Sequence, residues 1–433
     1  MSKDSAPASA PASGRSLILA AVVIVVGVLG TWLPETQVMG VIPLKNLLKN
    51  ALHQDRAAVA AFFFWTTLPW YLKPVVGIVM DAVPLFGTRR RSYLLAGALL
   101  SALSWLALAV TPRDYYSFLA VCFLINLAMM TASTAIGGFL VEVAQGSGSS
   151  GRLTSVRSFA QYAGYVLGGP LGGALAGAGI IWTAVAGGAI TFLVVPVAIW
   201  CLREPAAPAN PRPHLLAARD RLVAIGRAGP LWVTAAVAML FYFAPGTQTA
   251  QFYAQQNLMH LDTSQQGFLV FLNGVFGVVA SVLYGGVLAR RWSLRVLLLL
   301  SIAAGAAAQA GYAWYDSWTA ARLIDSCWGF GYTLAEVAIM HLTVRATPRG
   351  SEALGFALMM AVRNFGIFAG DWMGASLMDR LHWSLHALAL INGAVSLLAL
   401  PVALLLPAAV VNVRDARRAG PPDLQPAPQA GRA

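Results

Sequence analysis

Charge is what this chain has least of. Acidic and basic residues fill 11% of its 433 positions, against about 25% in an ordinary soluble domain, so water is not its main solvent. Long polar stretches are missing too. The longest between apolar runs, Arg203 to Ala228, is too short for a soluble domain of at least about 50 residues, which places any site among apolar segments. Cysteine is scarce. Cys122, Cys201 and Cys327 stand singly in apolar surroundings, which excludes a disulfide framework or a cysteine metal site and leaves packing roles. The six histidines show no paired ligand spacing, His341 reading as a helix-end residue, and no Gly-Lys-Ser/Thr loop offers a phosphate cradle. Neither metal nor cofactor is expected. A membrane acyl- or glycosyltransferase would need catalytic polar residues clustered at one membrane face, and the sequence has no such cluster, so an enzyme is not expected. The net charge of +12 is scattered over short loops; that argues against a nucleic-acid stripe.

What is present is apolar sequence, 58% of the chain. A spanning helix uses about 20 apolar residues, so twelve would use about 240, close to the available total. The runs place spans 1 to 6 at 17–44, 57–80, 92–111, 115–143, 153–177 and 179–201, and spans 7 to 12 at 229–253, 265–289, 293–314, 317–343, 353–378 and 382–406. The expected fold is an all-α integral membrane protein, twelve helices in two pseudo-symmetric six-helix bundles at 17–201 and 229–406. A polar tail (1–16), a linker (202–228) and a Pro/Ala/Arg tail (407–433) complete it. The run from Leu17 to Leu33 has no small-residue cleavage site after it and is expected to stay as span 1.

Lys and Arg set orientation, because cytoplasmic loops hold their excess. Twenty-one lie on the side of the two termini and five, Lys45, Lys49, Arg56, Arg113 and Arg380, on the other, so both termini are expected to be cytoplasmic, in an inner membrane. Weak repeats support two related halves: Arg157-Ser-Phe159 in span 5 against Arg363-Asn-Phe365 in span 11, and Gly-rich, Arg-bearing turns after spans 2 and 8.

The least generic segment is Leu68 to Tyr93. Asp81 sits where a span meets the aqueous face, Pro84 and Gly87 shape a sharp turn, and Arg89, Arg90 and Arg91 are placed to anchor the next helix against anionic lipid. Asp81 can accept from a helix N-terminus or a neighbouring arginine, holding one conformation closed; the plainer alternative is a solvated loop charge. Gly77, Asp81, Gly87 and the three arginines resemble the loop signature of the major facilitator superfamily. The longer pattern, Pro69-Trp70 before Lys73-Pro74, then Gly77, Asp81, Pro84-Leu-Phe-Gly87 and Arg89-Arg-Arg-Ser-Tyr93, resembles the folate-biopterin transporter family within it, as does the stretch from Gly350-Ser-Glu352 to Asn364. Two positions depart from that pattern: Gly137 and Gly138 stand where an acid is expected ahead of Glu142, and Arg363 precedes Asn364. The resemblance implies carriage of a pteridine-like or folate-like solute, coupled to protons.

Ionisable groups inside spans are the other signal, since each costs about 2.5 to 3.5 kcal/mol at a helix centre and so faces a cavity or a partner. Lys73 reads either as a cation meeting an anionic substrate group or as a structural lysine that snorkels or pairs. Glu35, with Gln37 after it, is buried if span 1 continues past Pro34, which suits a group that binds and releases a proton; if the helix ends at Leu33 it belongs to a loop. Asp325 and Glu336 share a face of span 10, and Arg363 and Asp371 one of span 11, which points to mutual pairing or a water-lined path. For Glu336 and Arg363 a salt bridge competes with a substrate role; for Asp325 and Asp371 cavity or gating roles are favoured. Gly168 to Ala174 approximates the Gly-Pro signature of antiporters, although small residues also serve close helix packing. Trp70, Tyr71, Phe241 and Tyr242 are candidates to stack on a flat ring.

The sequence therefore describes a monomeric secondary transporter of a folate- or pterin-like anion, driven by protons, in contact with lipid and not nucleic acid. A proton-driven exporter of drugs or metabolites is the alternative on the same fold, and a sensor that binds without flux is the remaining one.

Overall fold

In the computed structural model, residues 14–147, 150–202, 204, 212–348 and 351–412 are described. Both terminal tails lie almost wholly outside them, and of Asp81 and Glu142 only the backbone is included. The described helices occupy all twelve expected segments, and the described residues contain no strand beyond one isolated bridge.

Prolines accompany the breaks in spans 1, 2 and 7, although span 5 runs whole through Pro170. Span 1 is α1 (Gly14–Trp32) and α2 (Val41–Asn46), separated around Pro34. Span 2 comes in three pieces, α3 (Arg56–Thr66), α4 (Leu68–Tyr71) and α5 (Lys73–Ala82), with Pro69 and Pro74 in the first turns of the second and third. That is where the missing proline N–H costs nothing. Spans 3 to 6 are α6 (Arg91–Leu108), α7 (Tyr115–Ser147), α8 (Ser150–Ala178), and α9 (Ile180–Phe192) with α10 (Val194–Cys201). The linker holds a helix the sequence did not announce, α11 (Arg212–Gly226). It meets span 7 at 73°, runs along that face, and touches both span 2 and span 11.

Span 7 was expected to be continuous and is not. It is α12 (Gly229–Tyr242) and α13 (Gln248–Asn257), broken at Pro245-Gly246. Span 8 is α14 (Thr263–Leu283), followed by a π turn at Tyr284–Leu288 and the short α15 (Ala289–Arg291). Spans 9 to 12 are α16 (Leu294–Ala310), α17 (Trp318–Ala346), α18 (Glu352–Leu381), and α19 (Leu385–Leu397) with α20 (Ala399–Leu404).

Packing repeats between the halves. Span 3 lies against 4 and 6, span 1 against 4, 5 and 6, and span 2 against 4; spans 9, 7 and 8 make the corresponding contacts with 10 and 12, with 10, 11 and 12, and with 10. The halves meet where 5 touches 8 and 2 touches 11, two seams exchanged by the same pseudo-two-fold. Six spans, 3, 4, 6, 8, 9 and 12, are long and apolar enough to cross a bilayer on those criteria alone. Four of these, 3, 6, 9 and 12, present leucine, valine and tryptophan outward, as at Leu103, Trp182, Leu300 and Leu404, the outer surface of a protein solvated by lipid. Of the other six, spans 1, 2 and 7 carry the breaks at prolines, and spans 2, 5 and 11 lie at the seams with span 8.

Glycines set the spacing of the broken spans. On span 5, a Cβ at Gly164, Gly168 or Gly172 would strike Trp32, Val38 or the Met39 carbonyl; on span 11, one at Gly366, Gly370 or Gly374 would strike Tyr242, the Ala244 carbonyl or Gly246. Each glycine row therefore cradles a break. This register pairs Gly164 with Gly366, which sets Arg363 one turn away from Arg157 and makes the Arg-x-Phe match coincidental. Gly169 and Gly173 turn the other way, onto Gly267 and Thr263 of span 8, so the run from Gly168 to Gly173 is accounted for by close helix approach.

Candidate functional site

The break in span 1 places the first functional side chain. The helix ends at Trp32, yet Glu35 is only 8% exposed, because the chain turns inside the bundle before α2 resumes. Val38 N and Gly40 N donate to the Glu35 carbonyl at 2.9 and 3.2 Å. Each of the two sequence alternatives was half right: the helix stops and the carboxyl is buried. The charges acting on that carboxyl are Lys73 and Arg363, one from each half, and no hydrogen bond from a described residue ties it up. Nearby, Gln37 Nε2 and Trp32 Nε1 are buried without an acceptor among the described residues, and the Trp32 ring stands edge-on to Tyr165 of span 5 at 5.5 Å.

Lys73 opens α5 and donates to Ser133 Oγ at 3.1 Å, with its ammonium 5.1 Å from the Trp70 ring. Trp70 is fixed in turn: its indole N–H donates to Asn126 Oδ1 at 2.9 Å, and Asn126 Nδ2 donates to Thr36 Oγ1 at 3.0 Å. Asn126 thus ties the span 1 break to span 2. Nothing in the sequence reading named it; a lone amide in an apolar span was the available signal. Trp70 and Phe241 are buried in the packing of their own halves.

Across the seam, Arg363 Nε lies 2.7 Å from Glu336 Oε1. Its guanidinium sits 5.7 Å from the Tyr242 ring and donates to Asn364 Oδ1 at 3.1 Å. Tyr242 is 4% exposed, and its hydroxyl lies beside the Arg363 guanidinium with no other partner among the described residues. Trp328 and Tyr332 stack at 4.4 Å beside it. Charges alternate along Lys73, Glu35, Arg363 and Glu336, spanning both halves with aromatic faces on the second.

Asp325 and Asp371 do not join this row. Asp371 accepts from Thr249 N at 2.9 Å and Thr249 Oγ1 at 2.6 Å, capping α13. Asp325 accepts from Tyr312 and Tyr315 hydroxyls at 2.7 and 2.6 Å, and Gln255 of α13 donates to Tyr315 at 2.8 Å. Both carboxylates therefore fasten α13 within the second half, and α13 closes on the first. Lys45 Nζ donates to Gln248 O at 3.3 Å, Lys49 Nζ to Gln256 Oε1 at 2.8 Å and Asn257 Oδ1 at 2.6 Å, and Tyr253 to Gln54 O. Arg56 pairs with Asp379 at 2.8 Å. This polar closure lies on the face away from the linker, the distal face. Lys45, counted as a loop residue in the sequence, is buried there.

On the linker face, Phe86 and Gly87 take φ of 47° and 76° while Leu85 and Thr88 exchange backbone hydrogen bonds at 3.1 and 3.0 Å. That is the two-residue turn that needs positive φ at both centres, set up by Pro84. Glu204, just after span 6, accepts from the backbone N–H of Arg89, Arg90 and Arg91 at 2.9 to 3.1 Å and so caps span 3. The arginines were expected to face lipid; Arg90 is instead 8% exposed, lying where a Cβ of Gly138 would be. The glycine that replaces the expected acid makes room for the base. Gly77 faces Thr134 with space to spare. His341 Nδ1 pairs with the Tyr284 hydroxyl at 3.1 Å, and among the described residues no His, Cys, Asp or Glu cluster is disposed to hold a metal.

Two related bundles that meet along charged, aromatic seams inside a lipid-facing shell define a membrane transporter for a small solute. The profile of the Major Facilitator Superfamily matches residues 16–371 and that of the BT1 family residues 325–422. The chain belongs to the Major Facilitator Superfamily. It is 27% identical to the folate-biopterin transporter of Synechocystis sp., covering 87% of this chain and 81% of that protein. It is 25% identical to the probable folate-biopterin transporter 4 of Arabidopsis thaliana, covering 77% and 84%. Among solved structures, the nucleoside transporter NupG superposes with a TM-score of 0.68 at 13% identity over 91% of this chain and 99% of that one. A D-xylose–proton symporter does so with 0.68 at 14% over 90% and 97%. These two likenesses concern the fold.

Proposed function

We propose that this protein carries a folate- or pterin-like anionic heterocycle across an inner membrane, as a monomer, by proton-coupled alternating access. The observation that carries the reading is Glu35, buried between cations of opposite halves with no hydrogen bond to its carboxyl from a described residue. A substrate anion drawn to Lys73 competes with Glu35 for positive charge, and the displaced carboxylate takes up a proton. With its own charge neutralised, it no longer holds the halves in one arrangement. Gln37, Asn364 and the Tyr242 hydroxyl line the row and supply neutral hydrogen bonds, while Arg363, held by Glu336, sets the field.

The bundles at 17–201 and 229–406 rock about this row. Distal closure belongs to α13, positioned by Asp325 and Asp371; closure of the linker face belongs to Gly77, Asp81, Pro84, Gly87 and Arg89 to Arg91. The excess of Lys and Arg on the linker face supports a cytoplasmic location for it and for both termini. Names of the relatives support the substrate class. The test is uptake into proteoliposomes after a pH jump, offering folates, pterins and nucleobase-like solutes. Pterin or folate uptake that follows the proton gradient is the expected result, and no movement of any of them sinks the reading.

A further inference from the structure

The distal face carries a second polar locus outside the central row. Span 1 ends in a π turn, Leu47–Ala51, a geometry that collects at functional positions. It lifts Lys49 into a groove of about 570 Å³ between the halves, bordered by Asn46 and Asn50 on one side and by Gln256, Asn257 and His260 on the other. Lys49 Nζ spends two of its three N–H groups on the carbonyl oxygens of Gln256 and Asn257; the third has no described acceptor. Among the described residues no carboxylate lies within ion-pairing distance of it.

Four acids of this face hold other groups, and one of them, Asp262, also lines the groove. Asp379 holds Arg56, Asp55 caps α3 through Ala58 N, Asp262 caps α14 through Gln265 N, and Asp371 caps α13. Of the residues that line the groove, Lys49 and Asp262 carry charge, and Lys49 is met from the opposite half by two neutral amide oxygens and by the face of the Tyr253 ring at 4.9 Å. Those amides must let go when the distal face opens.

Resting on the transport reading above, we infer that Lys49 is a docking site for the carboxylate of the carried solute, and that docking there releases the distal closure. A carboxylate is a stronger acceptor for an ammonium than a neutral amide. An anionic tail in the groove replaces the Gln256 and Asn257 oxygens, and the bonds it replaces are ones that join the halves. Ligand binding then favours the distal-open state, because only there can Lys49 exchange amide for carboxylate without a competitor from α13. The ring portion of the solute plays no part in this step.

The test compares folate, whose tail carries carboxylates, with biopterin, which has none, in proteoliposomes of neutral lipid. Lys49→Gln is expected to raise the KM for folate about tenfold relative to that for biopterin, which registers only the weakened closure, with Lys49→Arg close to the unaltered protein. Gln256→Leu removes a competitor and is expected to lower the KM for folate, an opposite sign that loss of folding cannot produce. Equal effects of Lys49→Gln on both solutes, or no effect on either, overturn the inference. Failure of the unaltered protein to move either solute overturns the transport reading, and this step with it.

Discussion

The two broken spans occupy equivalent places in the repeat but treat their acids in opposite ways. In span 7 the chain breaks at Pro245-Gly246, and Asp371 of the packed neighbour spends both oxygens on Thr249. In span 1 the chain breaks at Pro34, and Glu35 is buried with no hydrogen bond to its carboxyl from a described residue. Burial of a charge is tolerated when it is paired and costly otherwise, so the first arrangement builds structure and the second stores a demand. Pseudo-symmetry supplies two similar breaks, and only one has an acid that no described residue hydrogen-bonds. That difference separates a joint from a site.

The largest expected effect follows directly. Glu35→Gln keeps the shape and removes the charge, so proton-driven accumulation in proteoliposomes is expected to fall at least about tenfold, the worth of one charge-assisted contact. Substrate exchange without a proton gradient persists, and thermal unfolding in detergent stays within about 1 kcal/mol because no described hydrogen bond is lost. If accumulation survives unchanged, the two breaks do not differ in function.

Asp371→Ala tests the other side. It leaves a buried backbone N–H and a hydroxyl without their acceptor, which costs about 2 kcal/mol. The expected result is a lowered unfolding temperature with the proton dependence of uptake retained. A variant that keeps full stability and loses coupling instead moves Asp371 from the joint to the site.

Much of this contrast could be read from the sequence, and the unreadable part has a physical cause. Glu35, Lys73 and Arg363 announce themselves because charge inside an apolar run is expensive. Pro245-Gly246 was as plain a break signal as Pro34, and span 7 was drawn through it although the sequence beyond, Thr247 to Asn257, is rich in glutamine. Glu204, Asn126 and Lys45 were illegible for another reason. Each acts through a partner far away in sequence: Glu204 on backbone N–H groups of Arg89 to Arg91, Asn126 on Trp70 and Thr36, Lys45 on Gln248. Residue type fixes what such a group can bond, whereas the fold decides what it meets. The reversed role of Gly138 is the same lesson, since the absence of a side chain became meaningful only once Arg90 was seen to fill it.

The smallest effect separates the two cradles. A Cβ on Gly374 meets the backbone of Gly246, which is pinned within the span 7 break, whereas a Cβ on Gly168 meets the side chain of Val38. A side chain can change rotamer and a backbone carbonyl can move only with its helix. Both alanine substitutions gain some helix propensity over glycine, about 0.5 to 1 kcal/mol. Overpacking at Gly374 is expected to exceed that gain, for a net loss of about 1 kcal/mol in thermal unfolding; Gly168→Ala is expected to come out near neutral. Equal losses at both positions would make the span 1 break as rigid as the span 7 joint, and Glu35 would then need another source of the freedom to change partners.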